Sequence, residues 1–262
     1  MQNVVVERKG RVAVVRFDRG NRANALSNAL MRELTEVARS FEDDLETSAI
    51  VLTGRADVFT LGFDLRDPAA AASRDTGLDE RRRAARVGPR MCAAWEAIDA
   101  FTIVAIEGYC VGGGAALAVA CDLRIMGEAA VMYVPEVERG MNMSWGSVPR
   151  FVNLIGPART KSLVALATKV GAAQAVQWGL ADEMAANGGA FERALALAEH
   201  AASLPPTALR MIKRDIDVAA KALNQAVSFM DADQFALAQS SEDYRESIAA
   251  FFEKRDPKFT GR

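Results

Sequence analysis

The residues of this chain that could do chemistry lie in two short stretches. The first, Ile103 to Met126, reads IVAIEGYCVGGGAALAVACDLRIM. Ile103 to Ile106 is apolar and suits a short buried strand, and Cys121 to Met126 resumes strand character. Between them, Gly108 and the run Gly112-Gly113-Gly114 let backbone approach a ligand with no side chain in the way. Ala115 to Ala120 are small or apolar helix formers, so the glycines open a helix. A strand running into such a helix start aims free N–H groups and a positive dipole end outward. It can hold a phosphate or an oxyanion formed during reaction, or simply pack closely on the strand. The spacing disfavours phosphate, since neither a Gly-Lys-Ser/Thr ending nor GxGxxG is present. The second stretch, AAVMYVPEVERG from Ala129 to Gly140, sets Glu136 directly after Pro135. Proline fixes its own φ and biases its predecessor toward extended geometry, so Glu136 stands on a restrained turn. Glu138 shares that side in an extended chain but not in a helix. The single histidine, His200, sits in FERALALAEH and reads as a helix-surface residue. Ser-His and Cys-His mechanisms and most zinc sites drop out, and acid–base chemistry falls to a carboxylate.

The elements that must position these residues follow from pattern. Val4 to Glu7 and Arg11 to Phe17 read as strands joined at Lys9-Gly10. Ser27 is a good helix N-cap, followed by Leu30, Met31, Leu34, Val37, Ala38 and Phe41 at helical spacing. Ala49 to Thr53 is a buried strand. Residues 68 to 77 (PAAAASRDTG) read as a mobile loop. A helix is expected over Asp79 to Ala100, with Val87, Met91, Trp95 and Ile98 on one stripe. From Ala190 to Lys254 the chain is almost continuously helix-forming, broken at Leu204-Pro205-Pro206. The sequence therefore divides into an α/β part, 1–200, and a helical part, 201–262.

Composition bounds the function. The chain has 262 residues, half of them hydrophobic and a quarter charged, with a net charge of −2. That is an ordinary globular balance without the basic face that nucleic acid requires. No apolar run reaches the ~18 residues of a membrane span, and MQNVVVERKG lacks a signal-peptide h-region. Three cysteines without a CxxC fit a reducing compartment, and a cytoplasmic location is expected.

Taken with the other segments, the string from Glu107 to Leu117, closing with Cys121-Asp122, resembles the hallmark of the crotonase, or enoyl-CoA hydratase/isomerase, superfamily (N-G-x-x-x-G-G-G-x-E-L-x-x-x-C-D). DVFTLGFDLRD from Asp57 to Asp67 is similar to that family's F-x-x-G-x-D-L, and Asn24-Ala25-Leu26 to its first motif. Leu154 to Arg159 and Gln174 to Asp182 resemble later family segments. The resemblance covers nearly the whole chain. It implies an α/β crotonase-like ββα spiral core with a helical C-terminal trimerisation region, assembled as a homotrimer or dimer of trimers. It also implies an acyl-CoA substrate, with coenzyme A as part of that substrate, no separate cofactor and no metal. Backbone N–H groups of Phe63 and Gly113 then stand as oxyanion donors, with Gly62 supplying flexibility and Asp64 capping the following short helix. Ala25 and Leu26 lie along CoA, Gly112 belongs to the same site, Trp145 lines the acyl pocket, and Phe251 and Lys254 approach the adenine. Arg66 and the run Arg81-Arg82-Arg83 are candidates for the CoA phosphates.

Two departures bear on the reaction. Ala116 stands where hydratases carry a catalytic glutamate, so that restoring a glutamate there is expected to point it toward Glu136. Ser144 and Trp145 replace small residues that help hold the attacking water. Glu136 matches the second carboxylate position. Removing an α-proton from a thioester puts charge on the carbonyl oxygen, which two backbone donors stabilise while a carboxylate moves the proton. Hydration usually needs two carboxylates, whereas shuttling a proton from C2 to C4 needs one. The leading expectation is Δ3-Δ2 enoyl-CoA isomerisation. The alternatives are enoyl-CoA hydration with Glu138 or Glu107 as second acid, another acyl-CoA reaction, and an acyl-CoA-binding protein without turnover.

Overall fold

The computed structural model describes residues 2–69 and 76–262, so most of the loop expected over 68–77 lies outside the described residues. Strands β1 (Val4–Lys9) and β2 (Val12–Phe17) form the expected antiparallel hairpin, turning at Gly10 with φ +59°. Strands β3 (Ala49–Thr53), β4 (Phe101–Ile106), β6 (Leu123–Gly127) and β9 (Glu183–Ala185) extend the sheet, in the order β1-β2-β3-β4-β6-β9, and every pair after the first is parallel. A second, three-stranded sheet joins β5 (Tyr109–Val111), β7 (Val131–Tyr133) and β8 (Val170–Gly171). Each of β4 and β6 in the large sheet is followed at once by a strand of the small one, and this alternation makes the turns of a spiral.

Both faces of the central strands β3 and β4 are covered, which is why they read as nearly unbroken apolar runs. One face presents Val15, Phe17, Leu52, Val104 and Ile106 to the main core with helix α1 (Asn28–Arg39). The other presents Val12, Val14, Val51, Ile103 and Ile125 to helix α7 (Ala190–Ser203). Ala190, Ala194 and Ala198 on that helix recur every fourth residue, so small side chains let it lie close to the strands. Ser27 caps α1 as expected, its Oγ accepting the Leu30 N–H at 3.2 Å.

Instead of one helix over 79–100 there are two, α2 (Leu78–Ala85) and α3 (Val87–Glu96). Pro89 has no N–H to give to the Ala85 carbonyl, so a continuous helix would lose a bond there, while in the first turn of a new helix nothing is lost. The stripe itself holds, with Val87, Met91, Trp95 and Ile98 all buried. Helix α4 (Gly113–Ala118) starts within the glycine run, α5 (Ser147–Thr160) follows the site's second loop, and α6 (Ala172–Trp178) packs beside the small sheet. Residue 200 falls inside α7, and the chain breaks at Leu204, where the backbone turns extended before Pro206 opens α8 (Pro206–Lys221). Helices α9 (Asn224–Ser228), α10 (Asp231–Ser240) and α11 (Glu242–Glu253) complete the helical C-terminal region. Buried Lys213 pins α8 to the sheet, its Nζ donating to the Ile98 and Ala100 carbonyls and pairing with Asp122 at 2.7 Å. Among the described residues no helix is long and apolar enough to cross a membrane.

Candidate active site

Two loops and one helix start meet at the carboxyl ends of β2, β3 and β4. Asn24 is fully buried with φ 43°. Its Nδ2 donates to the Phe17 and Phe59 carbonyls, and its Oδ1 accepts the Arg19 N–H. That anchor presents Ala25 and Leu26 to the segment 62–64. There the Leu26 N–H donates to the Gly62 carbonyl (2.8 Å), and the Asp64 N–H to the Leu26 carbonyl (3.1 Å). Arg19 pairs with Asp64 at 2.6 Å and donates to the Ala25 carbonyl, locking the two loops together. Upstream, Thr60 exchanges backbone hydrogen bonds with Tyr109 and Val111 of β5.

Between these tethers the Phe63 N–H has no partner among the described residues, and neither does the Gly113 N–H at the first position of α4. The two are neighbours. A Cβ on Gly62 would stand 2.7 Å from the Val111 carbonyl oxygen and 3.7 Å from the Gly113 nitrogen. Gly62 also has φ +86°, so glycine is needed here twice over. Asp64 does not cap a helix as expected. Its carboxylate accepts the Arg66 N–H in a turn and pairs with Arg19, and it is Asp67 that accepts the Ala69 N–H.

Glu136 lies against this helix start. A Cβ on Gly112 would collide with Glu136 Oε1, and Gly112 itself has φ +52°, so glycine at 112 makes room for the carboxylate. Glu136 Oε2 is buried without a hydrogen-bond partner. Burial is the main influence on this carboxyl and raises its pKa from 4.5 to about 7, opposed by a hydrogen bond from its own backbone and then by the Arg139 charge. The backbone beyond it is a 3-10 turn over Val137–Arg139, not an extended strand, which turns Glu138 away. Glu138 is exposed and accepts the Tyr133 hydroxyl instead. Glu107, the other acid considered, is committed to the fold and accepts the Ala190 N–H at 2.9 Å.

Phe63, Gly113, Glu136 and Trp145 line one cavity of about 130 Å³. Its apolar wall includes Met31, Leu65, Met143 and Phe235, and its polar lining Asn28, Arg81, Asn142, Ser144, Gln239 and Tyr244. Glu136 is the one carboxylate among these residues. Trp145 adopts the left-handed backbone conformation (φ 61°), which costs about 1–2 kcal/mol for a residue with a side chain. Three bonds hold it there. Arg150 donates to its carbonyl at 2.9 Å, Arg150 is itself clamped by Glu96 at 2.7 Å, and Asp231 accepts the Gly146 N–H at 2.8 Å. The indole ring lies flush on Gly88 and Gly113, where a Cβ on either would collide with it.

Ala116 does not line the cavity. It is fully buried in the main core, one helical turn behind Gly113, and the Trp145 ring lies over that turn. Ala25 and Leu26 are likewise buried, and Gly62, Asp64 and Gly112 frame the site from behind. Phe251 and Lys254 are outside the cavity. Phe251 is half-exposed with the Arg139 guanidinium 4.4 Å from its ring centre, and Lys254 ends α11 in the left-handed conformation. Of the four arginines considered for phosphates, Arg82 pairs with Asp233 at 2.7 Å, Arg66 stacks on Phe252, and Arg81 faces the cavity. The sequence reading did not include Gly88, Asn142, Gln239 and Tyr244. A glycine inside the 87–96 stripe, next to a proline, was the one visible signal; the other three reach the site only through tertiary packing.

The chain matches the Enoyl-CoA hydratase/isomerase family over residues 7–262. It is 31% identical to 2,3-dehydroadipyl-CoA hydratase of Escherichia coli over the whole of both chains. It is 30% identical to a probable enoyl-CoA hydratase of Mycobacterium tuberculosis, covering 100% of this chain and 99% of that one. A solved enoyl-CoA hydratase/isomerase from Pseudoalteromonas atlantica superposes with a TM-score of 0.87 at 27% identity, covering 98% and 100% of the two chains. A fold of α/β spiral turns with a helical C-terminal region, holding a glutamate with a buried carboxyl oxygen beside free backbone donors, defines the class as a crotonase. The chain belongs to the enoyl-CoA hydratase/isomerase family.

Proposed function

We propose that this protein is a Δ3-Δ2 enoyl-CoA isomerase that works with one carboxylate. In this reading the thioester oxygen of an acyl-CoA sits between the Phe63 and Gly113 N–H groups, neither of which has another partner among the described residues. Losing one such donor typically costs ~3–4 kcal/mol of transition-state stabilisation. Ionised Glu136 takes the proton from C2, the negative charge spreads to the thioester oxygen, and the same carboxyl returns the proton at C4 as the double bond moves into conjugation. A pKa near 7 suits both halves of that transfer at neutral pH. The observation that carries the reading is that Glu136 is the sole carboxylate lining the cavity among the described residues, with Glu107 and Glu138 engaged elsewhere.

Hydration is the second reading, favoured by the names of relatives such as the probable enoyl-CoA hydratase of M. tuberculosis. Parallel assays on a 3-enoyl-CoA and on crotonyl-CoA separate the two. Isomerisation faster than hydration is the expected result, and hydration at an equal or higher rate overturns it. A homotrimer or dimer of trimers belongs to the same proposal. It is supported by exposed Met211, Ile212, Ile216 and Leu237 on the C-terminal helices, and a stable monomer in light scattering would remove it.

A further inference from the structure

A cavity made for a plain hydrocarbon chain has no use for unpaired polar groups, because each one left dry costs free energy. Besides Glu136 Oε2, this cavity holds one such buried atom, together with further polar groups that have no partner among the described residues. Asn142 Oδ1 is buried with no partner, and the amide's other end makes only a long 3.4 Å bond to Gln234. Rotating both amides exchanges O for N without moving the heavy atoms and turns the Asn142 NH2 inward, so this position can also donate. The Ser144 hydroxyl and the Trp145 indole N–H have no partner among the described residues, and neither atom is sealed from solvent. Tyr244 is buried with its hydroxyl receiving a 3.3 Å bond from Gln239, which leaves the phenolic proton free to be donated.

Arg81 supplies the charge. It is an exposed residue of α2 that borders the cavity, and no acid among the described residues pairs with it, whereas its neighbour Arg82 is tied to Asp233 of α10. That tie draws α2 against the helix that brings Phe235 and Gln239 to the cavity. Among the described residues the unpaired set is thus rich in donors and carries one cation without an acid partner, Arg81, while the one lining anion, Glu136, is at the reacting end. Such a set is complementary to an acceptor with negative charge.

We infer that the acyl group taken by this site ends in a carboxylate, recognised by Arg81 with hydrogen bonds from the Asn142, Ser144, Trp145 and Tyr244 cluster. The inference rests on the acyl-CoA reading and narrows its substrate class. The test is calorimetric binding of two saturated acyl-CoA probes of equal chain length, hexanoyl-CoA and adipoyl-CoA, to the full chain and to Arg81→Gln, which needs no turnover. The expected result is that adipoyl-CoA binds at least ~10-fold more tightly than hexanoyl-CoA, and that Arg81→Gln narrows this to within ~2-fold while hexanoyl-CoA binding is unchanged. Equal binding of the two probes by the unmodified protein overturns the inference and leaves the acyl-CoA reading standing. If Arg81→Gln weakens both probes alike, Arg81 serves the shared CoA moiety and the inference fails too. If neither probe binds, the acyl-CoA reading itself falls.

Discussion

Replacing Glu136 by Gln gives two readouts with different physical origins. The amide keeps the shape of the carboxyl but cannot carry a proton, so turnover should fall by ~100-fold or more, the usual scale of general acid–base catalysis. Stability moves the other way. The folded state raises the Glu136 pKa from 4.5 to about 7, because burial disfavours the charged form. A carboxyl held this way binds its proton more tightly when folded, so its contribution is fully present below pH 4.5 and is lost as pH rises through 7. At about 1.4 kcal/mol per pH unit, the protein should lose on the order of 2–3 kcal/mol between pH 5 and pH 8 from this group alone. The substituted amide has nothing to ionise. Urea unfolding of both proteins at both pH values isolates the effect, since every other titrating group is common to them. The variant should gain about 2–3 kcal/mol relative to the wild type on going from pH 5 to pH 8. An unchanged difference would show that Glu136 is not desolvated, and the explanation of its role as a neutral-pH base would go with it. In the wild type, kcat/KM should rise about tenfold from pH 6 to a plateau above pH 8, because the ionised carboxylate is the active form.

Two further substitutions probe the site's geometry. Gly112→Ala places a methyl group against Glu136 Oε1, at a φ that L-residues rarely adopt, so it should cut kcat at least ~10-fold while the Kd for a saturated acyl-CoA changes little; equal losses in both would indicate general misfolding. Ala116→Glu should destabilise the protein by ~3 kcal/mol or more without creating hydratase activity, because it buries an unpaired carboxylate in the apolar core behind Gly113. Thermal denaturation with a crotonyl-CoA assay reads both, and a stable, hydrating variant would return Ala116 to the cavity wall.

Local chemistry made much of this architecture legible. The hairpin at Gly10, the Ser27 cap and the doubly covered strands each follow from a few neighbouring residues whose preferences agree with the final fold. Phe63, Gly113 and Glu136 were visible because the two free N–H groups are backbone groups fixed by adjacent glycines, and because a proline restrains the turn before the glutamate. The surroundings were harder to see. Whether Glu138 shares the side of Glu136 depends on a single 3-10 turn, which no periodicity announces. Trp145 is held in a left-handed conformation by Arg150 and by Asp231 at the start of α10, and its ring needs Gly88 from a different helix. Gln239 and Tyr244 arrive from the C-terminal helices, whose spacing suggested only amphipathic surface. Ala116 shows the converse. Its place in the motif was clear, yet packing behind Gly113 removes it from the cavity.

Label transfer tests the single-carboxylate mechanism most directly. A 3-enoyl-CoA carrying deuterium at C2 is converted in ordinary water, and the product is analysed for the position of the label. If Glu136 alone carries the proton, in a site that shields Oε2 from solvent, a substantial share of the deuterium appears at C4 of the 2-enoyl-CoA. Product with no deuterium at C4, or a 3-hydroxyacyl-CoA as the main product, would contradict that mechanism.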